Sequence, residues 1–159
     1  MLVVELDAVD THPLRRSVLR DGTDSDVVEF EGDDLPTTLH LGVRHGDLLL
    51  AVSTWVVREF EPQPGVPAHQ LRGMATEPRH RDQGLASLLL HAGLLRCSDA
   101  GSRLVWARAR STALGFYRRH GFDTVGAEFV DAATGLPHRT IVFELASHDA
   151  RAVSASRNS

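Results

Sequence analysis

Between His69 and Gly101 an apolar strand pattern gives way, across Arg79-His80-Arg81-Asp82-Gln83-Gly84, to the strongest helical periodicity in the chain. Leu85, Leu88, Leu89, Ala92 and Leu95 fall at i, i+3, i+4, i+7 and i+10, which predicts a helix over Gln83–Ala100 with Gly101 as its stop. A strand that feeds such a helix, with a further strand predicted at Arg103–Ala109 around Val105 and Trp106, calls for an α+β fold. The flanking segments extend that order. Leu2–Leu6 reads as a strand, and Thr11–Arg20 as a helix with Asp10 or Thr11 at its N-cap and Pro13 in its first turn. Thr37–His45 and Leu48–Val57 read as a hairpin broken at His45-Gly46-Asp47. The prolines Pro62, Pro64 and Pro67 make Phe60–Pro67 a connection before a fourth strand at His69–Thr76. Ser111 is expected to cap a helix over Thr112–His120 that Gly121 ends. Phe122–Val130 and Arg139–Leu145 close the order as two strands.

A chain of 159 residues accommodates one such domain, assigned to residues 1–146. Residues 147–159 are rich in Ser, Ala and Arg without apolar periodicity, and are expected to form a flexible tail.

Composition removes several classes of function. All 17 basic residues are Arg, so neither Schiff-base lysine chemistry nor a GxxxxGK[ST] phosphate loop is available. A net charge of -4 argues against a nucleic-acid partner, which would need a surplus of positive charge on one face. Cys97 is the single cysteine, so an internal disulfide and a Cys-rich zinc site are excluded, and the nine His residues form no HExxH. No metal is expected. No apolar run approaches the roughly 18 residues that span a bilayer, and Met1–Asp10 lacks the basic-then-apolar pattern of a signal peptide, so the expectation is a cytoplasmic protein without a membrane partner.

The segment Arg79–Ala86 carries the clearest chemistry. It lies between a strand and a helix start, where the first N–H groups have no intrahelical partner and the helix dipole favours an anion. Gly84 and Ala86 leave the backbone open to close approach, and Arg79 or Arg81 adds charge-assisted donors for phosphate. A tight structural turn explains the glycine equally well when the helix start is taken alone.

With its surroundings, the segment resembles a known family. Leu71-Arg72-Gly73-Met74-Ala75-Thr76-Glu77-Pro78-Arg79-His80-Arg81-Asp82-Gln83-Gly84-Leu85-Ala86 is similar to the central strand and (Q/R)xxGx(G/A) loop of the GCN5-related N-acetyltransferases, with Arg81, Gly84 and Ala86 at the defining positions. Ala113-Leu114-Gly115-Phe116-Tyr117-Arg118-Arg119-His120-Gly121-Phe122 resembles that family's AxxFYxxxGF motif. Gly126-Ala127-Glu128-Phe129 and Gly135-Leu136-Pro137-His138 resemble the ending of small bacterial members.

The resemblance implies a splayed, mainly antiparallel twisted sheet of about seven strands flanked by three to four helices, with acetyl-CoA held where the fourth and fifth strands part. It places the pyrophosphate on the backbone of Arg81, Asp82, Gln83, Gly84, Leu85 and Ala86, with Arg79 beside it. The pantetheine amides would pair with the strand edge at Met74, Ala75 and Thr76. It implies transfer to a primary amine, on a small molecule or an exposed amino group, by direct attack in a ternary complex, with Tyr117 as the general acid that meets the coenzyme sulfur. The oxyanion donor would be a backbone N–H near Thr76. Arg110 stands where the family more often has Asn or Gln, and would donate to a cofactor carbonyl.

The general base is open between Glu77, Glu59, His69, His138 and a bound water. An acyl-CoA-binding regulatory module without efficient turnover is the alternative function, and a homodimer is admitted. The seven acidic residues from Asp21 to Asp34 read either as a solvated loop or as a lure for a cationic amine through Asp24, Asp26 and Glu29.

Overall fold

The computed structural model describes residues 1–145, so the tail expected over 147–159 lies outside the described residues. One sheet holds all seven strands: β1 (Leu2–Leu6), β2 (Leu39–His45), β3 (Leu48–Val57), β4 (Ala68–Thr76), β5 (Leu104–Arg110), β6 (Asp123–Val130) and β7 (Pro137–Glu144). Their spatial order is β1-β2-β3-β4-β5-β7-β6. Neighbours are antiparallel except β4 and β5, which run parallel and are bridged in sequence by the long helix α2 (Leu85–Asp99). The expected α+β architecture is therefore present.

Two local irregularities shape the centre of the sheet. The β3/β4 register passes from Thr54↔Arg72 to Val52↔Ala75, so Ser53 faces both Gly73 and Met74. That bulge needs a left-handed residue, and Gly73 supplies it at φ 61°. Just ahead of it, β4 has already left β5. Their pairing consists of Ala68↔Leu104, His69↔Val105 and Gln70↔Trp106, and from Leu71 onward the two strands have parted. A bulge increases local twist, which directs β4 away from its parallel neighbour.

Alternating residues of β3 send the core to both faces. On one face Trp55 is fully buried beneath α2, where a Cβ on Gly93 would lie 1.9 Å from the indole. The helix therefore turns Leu85, Leu89, Leu90, Gly93, Leu94 and Cys97 inward. Leu88 and Leu95, which mark the periodicity in sequence, are 41% and 55% exposed. The helix is apolar on most sides, and the contact between Trp55 and Gly93 selects which side is covered.

The other face of β3 carries Thr54, and here the acidic segment differs from a solvated loop. Arg15 is fully buried and donates to both carboxylate oxygens of Asp33, at 2.6 and 3.0 Å, to the Val28 carbonyl at 2.7 Å and to the Thr54 hydroxyl at 2.8 Å. His40 adds contacts to Thr54 at 2.8 Å and to the Asp33 carbonyl at 3.0 Å. Asp33 thus pins the loop to the sheet, while Asp24, Asp26 and Glu29 remain exposed.

The first helical segment also begins earlier than expected. It comprises a 3-10 turn at Ala8–Thr11, α1 (His12–Leu14) and a widened π turn at Arg15–Leu19. Its N-cap is Asp7, whose N–H is taken by the Asp10 carboxylate at 3.0 Å, a local bond that starts the turn before Thr11 can. Ser111 does not cap α3 (Leu114–Arg119), because its hydroxyl donates to Glu128 at 2.6 Å and a 3-10 turn at Ser111–Ala113 precedes the helix.

Burial pushes the Asp33 carboxyl up, but the hydrogen bonds from Arg15 and the Phe30 N–H, with the guanidinium charge, bring it below the ordinary aspartate value. The stability from this depressed carboxyl is fully present above the unfolded value of ~3.9 and is lost as pH falls through the lower folded value. Asp33→Ala strands a buried guanidinium and is expected to cost about 3–5 kcal/mol in urea unfolding. Adding Arg15→Met should recover part of that loss, because it removes the stranded charge.

Candidate active site

Where β4 and β5 part, a cavity of about 290 Å³ opens between them. Leu71–Met74 form one wall and Ala107–Arg110 the other. Tyr117 from α3 and His138 from β7 also line it, and Leu19, Arg20 and Phe30 reach it from the first helical segment and the pinned loop. The separation leaves β4 from Leu71 to Thr76 paired with β3 on one side only. Its free edge is an unsatisfied row of N–H and C=O groups, suited to the amides of an extended ligand.

That edge runs directly into the predicted phosphate loop. Glu77 accepts from the Arg79 N–H at 2.9 Å and contacts His80 Nδ1 at 2.8 Å, holding the 3-10 turn Pro78–His80. Asp82 then adopts φ 62°, alone among the non-glycine described residues in having positive φ, and Gly84 follows at φ 79° as the N-cap of α2. A Cβ on Gly84 would meet nothing within 4 Å, so glycine is required by the backbone and the space beside it is open. Arg79, Arg81, Asp82, Gln83 and Gly84 are exposed, and neither arginine makes an ion pair among the described residues. Leu85 turns into the core and Ala86 is half-buried, so these two present backbone to the opening. An open helix start, free arginines and an adjoining free strand edge together fit a nucleotide diphosphate with an amide-bearing arm.

The candidate acid and bases separate in space. Tyr117 is 7% exposed, and its hydroxyl has no protein partner among the described residues. Burial pushes its phenol up to about 12. His138 is buried, stacks on Phe129 and places Nδ1 2.9 Å from the Leu136 carbonyl. A carbonyl only accepts, so Nδ1 is the donor and Nε2 is the nitrogen left to exchange a proton.

Glu77 lies outside the cavity lining, and its hydrogen bond to His80 holds the carboxyl below its ordinary value despite some desolvation. Glu59 accepts from the Gly65 N–H at 2.7 Å in the proline-rich connection, and His69 contacts Ser102 at 2.5 Å in the paired part of β4. Neither borders the cavity. Arg110 does line it, but its guanidinium donates to the Leu19 carbonyl across the gap. Cys97 is packed in the core, where desolvation pushes the thiol up to about 12.

Arg20, Phe30, Arg72 and Arg108 also line the cavity, without having been singled out from sequence. Arg20 and Phe30 come from a segment whose placement depends on the long-range Arg15–Asp33 bond. Arg72 and Arg108 lie in strands, and a lone charge in a strand pattern does not tell whether it faces solvent or a cleft. Among the described residues no group of three or more His, Cys, Asp or Glu is placed to hold a metal ion.

A parallel strand pair that parts beside a glycine-started helix defines a class of scaffold built to hold an extended acyl-nucleotide donor. Residues 65–140 match the family model described as an acetyltransferase (GNAT) domain. The chain is 28% identical over 130 residues to the uncharacterized N-acetyltransferase YitI of Bacillus subtilis (strain 168), covering 81% of this chain and 87% of that protein. Its fold matches FeeM, an N-acyl amino acid synthase from uncultured soil microbes, with a TM-score of 0.76 at 13% identity over 94% of this chain and 96% of that one. It also matches an aminoglycoside 6'-N-acetyltransferase complexed with coenzyme A, with a TM-score of 0.69 at 14% identity over 91% and 97% of the two chains. In sequence over residues 65–140 and in fold, the chain is thus similar to GNAT acetyltransferases.

Gly84→Glu should place both bulk and like charge over the helix-start N–H groups, besides straining a left-handed backbone. Calorimetry should show acetyl-CoA affinity reduced by at least ~10-fold in a folded variant, on the usual worth of charge-assisted hydrogen bonds. Parental affinity would remove the diphosphate from this loop.

Proposed function

We propose that this chain transfers an acetyl group from acetyl-CoA to a primary amine by direct attack in a ternary complex. The observation that carries the reading is the continuity of three features: the free β4 edge at Met74–Thr76, the open helix start at Gly84, and the Tyr117-lined cavity at the strand separation. When bound, acetyl-CoA supplies an activated thioester whose carbon the amine attacks and whose thiolate departs.

The residues divide the remaining work. Backbone groups of Met74, Ala75 and Thr76 orient the donor, and an N–H near Thr76 polarises the thioester carbonyl. The loop Arg81–Ala86, with Arg79, holds the diphosphate. His138, through Nε2, takes the proton from the ammonium or from a water beside it, which is required because only a neutral amine attacks. Glu77 is assigned to positioning, since its carboxylate is spent on the turn that follows β4.

The raised phenol sharpens the role of Tyr117. Burial pushes the phenol up, which makes Tyr117 a weaker full proton donor than a solvated tyrosine. Tyr117 therefore stays protonated and donates a hydrogen bond to the departing sulfur, and the proton released by the amine completes the thiol. The second reading, an acyl-CoA-binding module with slow turnover, is favoured by Arg110, whose guanidinium gives one of its N–H groups to the Leu19 carbonyl.

The proposed setting is the cytoplasm, where acetyl-CoA is available to a protein with a reduced, buried thiol at Cys97. No helix among the described residues is long and apolar enough to cross a membrane.

Coenzyme release measured over a panel of amines separates the two readings: turnover with any amine supports the enzyme, and tight acetyl-CoA binding without release supports the module. Tyr117→Phe keeps the ring and removes the donor. It should lower kcat by up to ~100-fold with little change in acetyl-CoA affinity, at the lower end of acid–base effects because no full transfer is lost. An unchanged kcat, where chemistry limits the rate, would exclude Tyr117 from the reaction.

A further inference from the structure

The cavity is strongly cationic on the side away from the diphosphate loop. Arg20, Arg72, Arg108 and Arg110 line it, and Asp131 is the single carboxylate among the lining residues. None of the four guanidinium groups makes an ion pair among the described residues. Asp131 is itself engaged, accepting from the Thr134 N–H at 3.0 Å and its hydroxyl at 2.9 Å.

Each arginine is held by only part of its head. Arg20 Nε donates to the Val27 carbonyl at 2.6 Å, Arg72 donates to the Glu31 carbonyl at 2.9 Å, and Arg110 donates to the Leu19 carbonyl. Arg108 lies over the Trp106 ring at 5.6 Å. Arg20 and Arg72 flank the Phe30 ring at 5.3 and 5.2 Å, which fixes their planes while other N–H donors remain unused. Burial and then the nearby Arg110 charge lower the proton affinity of Arg20, and the Asp131 charge offsets them only in part.

Four planar guanidinium forks against one lining carboxylate are complementary to a carboxylate or a phosphate. We infer that the acceptor amine carries an anionic oxygen group, a carboxylate or a phosphate, which Arg20, Arg72 and Arg108 hold while the amine faces the β4–β5 gap. This names the substrate class of the transfer reached above and rests on it. The same charges favour the neutral form of a bound amine, which is the form that attacks. A volume of about 290 Å³ suits a small molecule rather than a folded partner. Of the two readings of the acidic run, this disfavours the lure for a cationic amine, since Asp24, Asp26 and Glu29 do not line the cavity.

Calorimetry on the protein with CoA tests the anion site without relying on turnover. The probes are N-acetylglycine against N-acetylglycinamide, N-acetylethanolamine phosphate against N-acetylethanolamine, and N-acetylputrescine as the cationic case. At least one anionic probe should bind ~10- to 100-fold more tightly than its neutral partner, and the pair that shows it distinguishes carboxylate from phosphate. Arg20→Gln and Arg108→Gln should each remove about tenfold of that preference, with the neutral probe and the thermal midpoint as controls for folding. Neutral and anionic probes binding alike, or N-acetylputrescine binding best, would overturn the inference. Coenzyme release reports separately on transfer, so an anion preference without turnover would fault the transfer reading and not the charge of the site.

Discussion

The fully buried Arg15 guanidinium is the constraint on which the functional half of the molecule depends. A charge removed from water must be met by an opposite charge and by acceptors for its remaining N–H groups, or the fold loses several kcal/mol. Asp33, the Val28 carbonyl and Thr54 meet the two terminal nitrogens, while Nε is buried without a partner among the described residues. In doing so they draw a segment rich in acidic residues across the sheet face opposite α2. Phe30, carried on that segment, lies 4.0 Å from the Arg15 guanidinium and becomes a wall of the cavity. A bond between residues 18 positions apart thereby sets one side of the site.

The same neighbourhood controls the opening. Gly73 forms the bulge in β4, and a Cβ there would stand 3.1 Å from Phe30 and 3.3 Å from Arg15 Nε. The left-handed backbone and the tight fit coincide at one residue, so the twist that separates β4 from β5 and the loop that covers the gap are locked together. Past the bulge, the freed edge of β4 leads without interruption into Glu77 and the helix start. In the proposed reading, positioning of a donor along the edge and of its diphosphate at Gly84 would follow from one backbone path.

The donor side of the site was more legible in the sequence than the acceptor side. Gly84 and its neighbours act through backbone N–H groups at a helix start, and a strand, a glycine and a helical stripe in succession mark such a place locally. Tyr117 stands within a similarly local motif. Arg20, Arg72 and Arg108 offer no comparable mark, because their roles come from convergence across three separate elements. Glu77, next to the right strand and of suitable chemistry, is engaged in its own turn and lies outside the cavity lining, which its local sequence does not reveal.

Element order and approximate bounds were set by the sequence, because alternation, helical period, proline and glycine act over a few residues and were read over those distances. The hairpin at His45-Gly46-Asp47 and the helix before Gly101 belong to this kind. Tertiary structure alone decided which side of α2 is buried, since Leu88 and Leu95 satisfy the period as well as Leu90 and Leu94 do, and only the cleft that Gly93 offers to Trp55 separates them. It also decided that Asp33, one acid among seven, is a buried counter-ion, and that Arg110 reaches Leu19. Burial and charge pairing depend on what the rest of the chain brings within a few ångströms, and no pattern confined to one segment contains that information.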